Sequence, residues 1–372
     1  MIETEKDVYR ELQESLDKLP ISFPATESGV ELRILKHLFT PEKALVAAKL
    51  GFIPISSIDI HAALKEDKIS LKIVEKYLDE MYSDGLIRQN IKIEDEESIK
   101  LYSSAPLVVG FYEFQLNKLT EDFVKDVDQY MREDFWEEMN KTKIPQLRTI
   151  PVGISIGVEG NVATYDDMKA IIEGCGDLIV VNKCICRVKM DMLGKSCKRT
   201  DLRETCFSFR ALGKRYLELG LGRAISKGEA LEILDQLQEE GIVFQPGNSQ
   251  RPIGVCCCCG CCCDILVNQR TLDSPAQFFA SNYYAKVESE ACNGCGICVY
   301  SCNMDAIEII NEKSQINLEK CIGCGNCSIK CPEQAITLVK KQGGKIPPKN
   351  SFQIYQQIAQ EREKLKHGAD NH

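Results

Sequence analysis

The chain has 372 residues, which is too many for one small core and predicts two or three domains. Hydrophobic residues make up 44% of the sequence and charged residues 27%, proportions that are ordinary for a water-soluble globular protein. The formal net charge of −9 and the sequence pI of about 5.3 argue against nucleic acid or an anionic membrane as the main partner.

The first residues, MIETEKDVYRELQ, are acidic and lack the apolar stretch of a secretory signal peptide. No run elsewhere approaches the ~18–20 apolar residues that span a bilayer, so we predict no membrane insertion. The chain carries 20 cysteines, and they lie in tight clusters, unlike the spread cysteines of a disulfide scaffold. We therefore predict a cytoplasmic protein whose thiolates bind metal in a reducing compartment.

Residues 1–105 are predicted to form the first domain, a helical unit closed by a hairpin. Apolar residues recur at helical spacing, and Thr40 followed by Pro41 marks a helix start. Further helices are predicted over residues 57–64 and 70–82, followed by the strands LIRQNIKI and SIKLYSS. Helices followed by a two-stranded wing resemble a winged-helix domain.

The charge of this first domain bears on what it can bind. Residues 1–106 contain 14 lysines and arginines against 20 aspartates and glutamates, a net of −6. The candidate recognition helix, SLKIVEKYLDEMY, mixes two lysines with three acidic side chains. Because groove-binding helices gain affinity from phosphate contacts, we predict a protein partner for this domain and not nucleic acid.

Residues 106–147 are predicted to form a long connecting helix, and residues 148–285 a Cys-rich metal-binding α/β domain. In that domain RTIPVGISIGV predicts a strand, and TYDDMKAIIEGC predicts a helix capped by Thr164. DLIVVNKCICR predicts a second strand, which brings Cys184 and Cys186 to its end. The segment SKGEALEILDQLQEEG predicts a capped helix, and residues 341–372 predict a polar helix with a tail.

The middle domain holds eleven cysteines between residues 184 and 263, and none of the four histidines lies near them in sequence. All-cysteine sites are therefore predicted, and soft thiolates select iron–sulfur clusters or zinc. The candidate ligands of an additional cluster or clusters are Cys184, Cys186, Cys197, Cys206, Cys256, Cys258, Cys259, Cys261, Cys262 and Cys263.

Three interpretations of this set stay open. Disulfides within the run 256–263 would be strained, because adjacent Cα atoms lie ~3.8 Å apart and disulfides prefer ~4.4–6.8 Å. Four thiolates from two segments would suit zinc. We favour one or two additional iron–sulfur clusters, with Gly260 letting the chain fold back over the metal. Lys183 and Arg187 either offset the cluster charge or form a solvated strand end.

An internal repeat with an offset of 29 residues is the clearest signal in the sequence. Its first copy is CNGCGICVYSC, which starts at Cys292, and its second is CIGCGNCSIKCP, which starts at Cys321. Both copies share all four cysteines and two glycines, at positions 294 and 296 in the first and 323 and 325 in the second. Glycines let such a loop turn tightly, so that backbone amides approach cluster sulfides.

Residues 286–340 thus resemble a bacterial-type ferredoxin with two [4Fe–4S] clusters, in which each fourth cysteine ligates the other cluster. The resemblance implies one cluster on Cys292, Cys295, Cys298 and Cys331, and a second on Cys321, Cys324, Cys327 and Cys302. It also implies that YAKVESEA pairs with AIEIIN, and SQINLEK with AITLVK. Asn303 stands where the family commonly has proline, which should alter turn stiffness and not ligation.

Most of the chain resembles a group of uncharacterised 4Fe–4S binding proteins of anaerobic bacteria and archaea. The matching segments include GVELRILKHLFTPEKA, CICR, LGLGRAISKGEALEIL and CCCCGCCC. That resemblance implies the domain order and marks Cys257 as a spare cysteine of the first four-cysteine run. It adds no known reaction.

The sequence as a whole predicts an α+β multidomain protein: a winged-helix-like start, a Cys-rich middle domain and a ferredoxin-like end. We predict that it passes single electrons to a protein redox partner. An electron carrier or redox subunit is favoured over a stand-alone enzyme. A redox- or oxygen-sensing winged-helix transcription regulator is the alternative. An enzyme whose middle-domain cluster binds substrate is a third hypothesis.

Overall fold

The computed structural model describes residues 7–94, 96–153 and 163–369. The chain divides into two compact units: Met1–Thr142 with Ile358–His372, and Lys143–Gln357. Both mix helices and antiparallel strands, so the protein is α+β. Within the described residues, no helix has both the length and the apolarity needed to cross a membrane.

The first unit begins with helices, which are followed along the chain by the hairpin of a three-stranded sheet. Its helices are α1 Val8–Asp17, α2 Val30–Leu38, α3 Pro41–Ala47, α4 Ser57–Ala63 and α5 Leu71–Ser83, and its strands are β1 Ile55–Ser56, β2 Ile87–Glu94 and β3 Glu97–Ser104. The sheet has the order β1-β3-β2 and is antiparallel. Thr40 caps α3 as expected, accepting from the amide of Lys43. The order of elements is the one that the winged-helix resemblance implies, and that assignment stays a prediction.

The long helix predicted from residue 106 is wrong for its first part. After Pro106 the backbone of Val108, Val109 and Gly110 leaves helical geometry, and continuous helix begins only at Glu121. Thr120 provides the start by accepting a hydrogen bond from the amide of Phe123. The helical stretch comprises α6 Glu121–Tyr130, one π-helical turn and α7 Trp136–Asn140.

The second unit is built on a five-stranded sheet with the order β6-β4-β5-β8-β7. Its strands are β4 Ile179–Lys183, β5 Glu204–Phe209, β6 Gly222–Ile225, β7 Val243–Pro246 and β8 Gly254–Cys258, and its helices are α8 Met168–Gly174, α9 Ile185–Met192, α10 Arg210–Glu218, α11 Lys227–Glu239 and α12 Asp264–Gln269. Every pairing is antiparallel, which corrects the predicted α/β class of the middle domain, since α/β folds carry parallel strands.

Three local predictions in this sheet region need adjustment. Asp167, and not Thr164, caps α8, because a short 3₁₀ turn occupies residues 164–166. The second strand ends at Lys183, and Cys184 is already the N-cap residue of α9. Of the strand predicted for RTIPVGISIGV, residues 148–153 form only isolated bridges, and residues 154–158 lie outside the described residues.

The C-terminal repeat follows, with elements related by the offset seen in the sequence. They are β9 Tyr283–Val287, α13 Ile297–Ser301, β10 Ile307–Ile310, β11 Lys313–Ile316, α14 Asn326–Ile329 and β12 Ile336–Lys340, and α15 Ser351–Ala369 comes after them. Strand β9 pairs with β12 and β10 pairs with β11, so the predicted pairing is wrong. Asn311 and Glu312 both have positive φ (50° and 59°), which closes β10 and β11 into a tight hairpin.

A buried ion pair ties the start of the second unit to the sheet. Arg148 and Asp166 are 2% and 1% exposed, and two guanidinium nitrogens donate to one Asp166 oxygen. Asn248 accepts from the same guanidinium at 3.3 Å, and Asn282 donates to the other Asp166 oxygen at 2.8 Å. The charge of Arg148 is therefore compensated by a single carboxylate.

Asp166→Ala is expected to lower the free energy of unfolding by about 3–5 kcal/mol, because it leaves a buried guanidinium without its counter-charge. Asp167→Ala is the matched control: it removes only the α8 cap and should cost about 1 kcal/mol. Urea denaturation under anoxia, followed by circular dichroism, measures both. A loss for Asp166→Ala no larger than that of the control would contradict the role of the pair.

Candidate metal centres

Each copy of the C-terminal repeat contains one glycine that no other residue can replace without backbone movement. Gly294 and Gly323 have φ of 74° and 67°, in the region that side chains rarely adopt. A Cβ on Gly294 would collide with the carbonyl oxygen of Glu312, and one on Gly323 with that of Tyr283. Tyr283 and Glu312 are themselves related by the repeat offset. Both cysteine loops are thus held against the backbone of a strand or turn in the same way.

Backbone amides point at four thiols of the repeat. Ala306 and Ala335 donate to Cys302 and Cys331, each at 3.3 Å. The other two bonds cross between the copies: Ser314 donates to Cys292 at 3.4 Å, and Ala285 donates to Cys321 at 3.5 Å. Such N–H donors stabilise thiolate sulfur, as the ligands of an iron–sulfur cluster require. The repeat therefore fits a pair of cluster sites on its own geometry.

The structure places the predicted ligands of the second set close together. Burial, and then the neighbouring thiols Cys302 and Cys321, raise the pKa of Cys324 to about 12. Burial first, and then Cys324, Cys302, Cys321 and, from the predicted first set, Cys298, raise the pKa of Cys327 well above its ordinary value. Cys302, from the first copy, thus lies in the electrostatic field of the loop in the second copy.

The predicted ligands of the first set are linked less directly. Ser314 contacts both Cys292 and Cys298, with its hydroxyl 3.1 Å from the Cys298 sulfur. Cys295 is the one exposed cysteine of the chain. Cys331 is partly buried against the apolar cluster that also contains Cys298. The assignment of these four to one cluster stays a prediction.

In the middle domain, β8 divides the cysteine run between two faces, because successive side chains of a strand point in opposite directions. Cys257 packs with Val255 in the apolar core of the sheet. Cys256 and Cys258 pack on the other side, and strand pairing sets Cys206 directly opposite Cys256. Cys257 is thus a core residue of the sheet, and its assignment as the spare cysteine stays a prediction.

The thiols of six predicted ligands are neighbours in a closed ring, which we call the six-thiol ring. Its order is Cys184, Cys186, Cys263, Cys258, Cys256 and Cys206, which returns to Cys184. Hydrogen bonds from Cys206 and Cys258 lower the pKa of the Cys256 thiol to about 5. Cys184 and Cys263 are the N-cap residues of α9 and α12, a position that also favours thiolate.

The other four predicted ligands form a separate and more compact set, which we call the cysteine quartet. Cys197 comes from the loop between α9 and β5, and Cys259, Cys261 and Cys262 come from the turn between β8 and α12. Their Sγ atoms all lie within 4.8 Å of one another. Throughout the described ranges, no other group of three or more cysteine, histidine or carboxylate side chains is this compact.

Positive charge is buried between the ring and the quartet. Arg187, 1% exposed, donates to Thr205 and to the carbonyl of Cys257, and its Nη2 lies 3.7 Å from the Cys259 sulfur. Although burial disfavours its charge, attraction to Cys184 and Cys259 raises the pKa of Arg187 above its ordinary value. Its Nε has no hydrogen-bond partner among the described residues, an orphaned donor of the kind that a bound sulfur would satisfy.

One buried ion pair beside the ring was not predicted from the sequence. Lys189 donates to Asp264, and Asp264 also lies beside the Cys186 thiol. Lys189 lies two residues after Arg187 on α9, and Asp264 directly follows the cysteine run, so their neighbourhood was the available signal. Lys183, in contrast, is exposed at the end of β4.

The structure explains the asparagine at position 303, where bacterial-type ferredoxins commonly have proline. Asn303 is 2% exposed; its side-chain oxygen accepts from the amide of Gly260 at 2.9 Å, and its amide donates to the carbonyl of Gly241 at 3.0 Å. A Cβ on Gly260 would lie 2.5 Å from the Asn303 carbonyl oxygen. Asn303 therefore joins the ferredoxin-like repeat to the turn that carries the cysteine quartet.

Asn303→Pro, the change toward the ferredoxin pattern, is expected to destabilise the second unit by about 1–3 kcal/mol, because Gly260 loses its hydrogen-bond acceptor in a buried site. Pro332→Ala, at the equivalent position of the second copy, is the matched control and should cost less. Thermal unfolding of both variants under anoxia provides the measurement. Equal or smaller destabilisation by Asn303→Pro would contradict the joining role.

Comparison with known families supports the C-terminal assignment. Residues 284–349 match the family model of the 4Fe-4S dicluster domain. Comparisons with curated proteins and with solved structures give no match. The matched domain makes this chain an iron–sulfur protein with a C-terminal ferredoxin domain.

Proposed function

We propose that this chain transfers single electrons between protein partners through two [4Fe–4S] clusters in its C-terminal repeat. Cys292, Cys295, Cys298 and Cys331 would hold one cluster, and Cys321, Cys324, Cys327 and Cys302 the other. When bound, a [4Fe–4S] cluster accepts and releases one electron at a time. The observation that carries the proposal is the repeat itself, with glycine contacts and amide–thiol bonds that recur at one offset.

The difference in burial among the cysteines indicates the side from which a partner protein would approach the repeat. Cys324 and Cys327 lie among apolar side chains, whereas Cys295 is exposed. Tyr300 and Ile297, on the helix that follows Cys295, are 80% and 42% exposed. Because electron transfer requires close approach of the partner, the loop of Cys295 is the proposed surface of exchange.

The six-thiol ring is the proposed site of an additional iron–sulfur cluster. Six thiols converge there from the start of α9, from β5, from β8 and from the start of α12, and two of them belong to N-cap residues. Arg187 and the Lys189–Asp264 pair supply buried polar groups beside the ring. Arg187 offsets the negative charge of the thiolates and sulfides of a bound cluster, which favours a site of this kind over a free thiol cluster.

The N-terminal unit is the proposed docking domain for a protein partner. Its hairpin exposes two isoleucines on one face of β2, Ile91 at 67% and Ile93 at 75%. Lys76 and Lys100, which could meet phosphate, are instead paired with Glu80 and Asp79. A gel-shift assay at physiological salt tests the alternative: tight, sequence-specific binding of DNA would favour a transcription regulator.

A potentiometric titration followed by EPR tests the proposed function on anaerobically purified full-length protein. We expect at least two centres that take up one electron each, within the range of roughly −700 to +450 mV known for such clusters. Reversible reduction and reoxidation by a one-electron dye should repeat over several cycles. A protein without reducible centres would overturn electron transfer as its function.

A further inference from the structure

The cysteine quartet has the dimensions of a site for one metal ion. The Cys197 sulfur lies 3.6 Å from that of Cys259 and 3.7 Å from that of Cys261. The Cys261 sulfur lies 3.5 Å from that of Cys259 and 3.7 Å from that of Cys262. A tetrahedral ion with metal–sulfur bonds of about 2.3 Å places each pair of sulfurs about 3.8 Å apart. All four of these sulfur–sulfur distances lie close to that value.

A [4Fe–4S] cluster would need thiolate sulfurs that lie further apart. Its four thiolates attach to the outer corners of a cube, with four irons and four sulfides between them. In a tetrahedral single-ion site, by contrast, the sulfurs lie about 3.8 Å apart, and the Sγ atoms of the quartet all lie within 4.8 Å of one another. The predicted ferredoxin ligands do not form such a compact group, although all eight are described. The quartet is therefore a different kind of site from the repeat.

The surroundings of the quartet suit a closed structural site. The backbone of Arg199 lies beside the Cys197 thiol, and the backbone of Lys198 lies beside the Cys261 thiol. The guanidinium of Arg187 lies 3.7 Å from the Cys259 sulfur and brings positive charge to a tetrathiolate that would carry excess negative charge. All four coordination positions are cysteine, which leaves no open position for a substrate.

The quartet also joins two segments that are distant in sequence. Cys197 lies in residues 193–203, which contain no helix or strand, and its three partners lie 62 or more positions further along the chain. In the same loop, Arg199 donates to the carbonyl of Tyr300 in the ferredoxin-like repeat. A metal ion here would fix this loop against the cysteine turn and, through Arg199, against the repeat.

We propose that Cys197, Cys259, Cys261 and Cys262 bind a single zinc ion in tetrahedral geometry. Zinc has no redox chemistry, and a closed set of four thiolates is its usual structural site. These four were predicted from sequence as ligands of an additional iron–sulfur cluster, and their spacing now separates them from the six-thiol ring. The zinc site does not depend on electron transfer by the chain.

Metal analysis of the full-length protein, purified without added zinc, tests the proposal directly. We expect about one zinc per chain, and zinc-edge X-ray absorption should show one shell of four sulfurs at about 2.3 Å. This measurement uses the unaltered chain, so folding of variants does not affect it. Absence of zinc, or nitrogen and oxygen ligands around it, would overturn the proposal. One iron at this site in place of zinc would overturn it equally.

Variants then locate the ion. Cys197→Ser and Cys261→Ser are each expected to reduce zinc from about one per chain to near zero, with the iron content unchanged. Cys257→Ser is the matched control, because Cys257 is a buried neighbour outside the quartet, and zinc should remain. A loss of about four irons in the quartet variants, without loss of zinc, would assign the quartet to a cluster and contradict the proposal.

Discussion

Cys302→Ala is expected to remove the cluster of the second loop, not that of its own loop. Cys302 belongs to the first copy of the repeat, yet its thiol lies in the electrostatic field of Cys321, Cys324 and Cys327. Iron in the repeat should fall by about four per chain, roughly half of its content. Iron quantification and the EPR spectrum of the reduced protein measure the loss.

A matched pair of variants makes this result specific. Cys257→Ser alters a buried cysteine that takes no part in either thiol cluster, and should leave the iron of the repeat unchanged. Cys331→Ala should remove the cluster of the first loop instead, because Cys331 holds the equivalent position in the other copy. If Cys302→Ala left the iron content and both EPR signals intact, the exchange of closing ligands between the copies would be wrong.

Gly323→Ala is expected to prevent assembly of the second loop. The added methyl group would collide with the carbonyl oxygen of Tyr283, and the positive φ of 67° adds strain. Backbone strain of this kind costs about 1–3 kcal/mol before the steric conflict is counted. Iron per chain, and thermal stability under anoxia, should both fall.

The control variant Gly343→Ala separates the steric collision from the backbone strain. Gly343 has a φ of 72°, but a Cβ there meets no atom within 4 Å, so only the strain of the left-handed conformation applies. We expect this control to keep its iron and to lose about 1 kcal/mol of stability. Comparable iron loss in both variants would show that the contact with Tyr283 does not shape the loop.

The ferredoxin-like end was the part most predictable from the sequence, because its chemistry dictates spacing. Three closely spaced cysteines and two glycines recur at one offset, and the family comparison supports that assignment. The strand pairing was predicted incorrectly, because it depends on the tight turn at Asn311 and Glu312. Neither residue is a glycine, so the positive φ at both positions was not evident.

The middle domain shows what sequence spacing cannot resolve. Cys261 and Cys262 belong to the quartet and Cys263 to the ring, although the three are consecutive. The division follows from where the chain leaves β8 and enters α12, and from the distant segments that supply Cys197 and Cys206. Only tertiary structure brings those segments together. The buried pair of Lys189 and Asp264 was missed for the same reason.

Quantification of iron and acid-labile sulfide in anaerobically prepared full-length protein tests the central claim most directly. The proposal predicts about eight irons and eight sulfides per chain from the repeat, and about twelve or more of each if the six-thiol ring also binds a cluster. Protein that contains neither labile sulfide nor more than a trace of iron would contradict it.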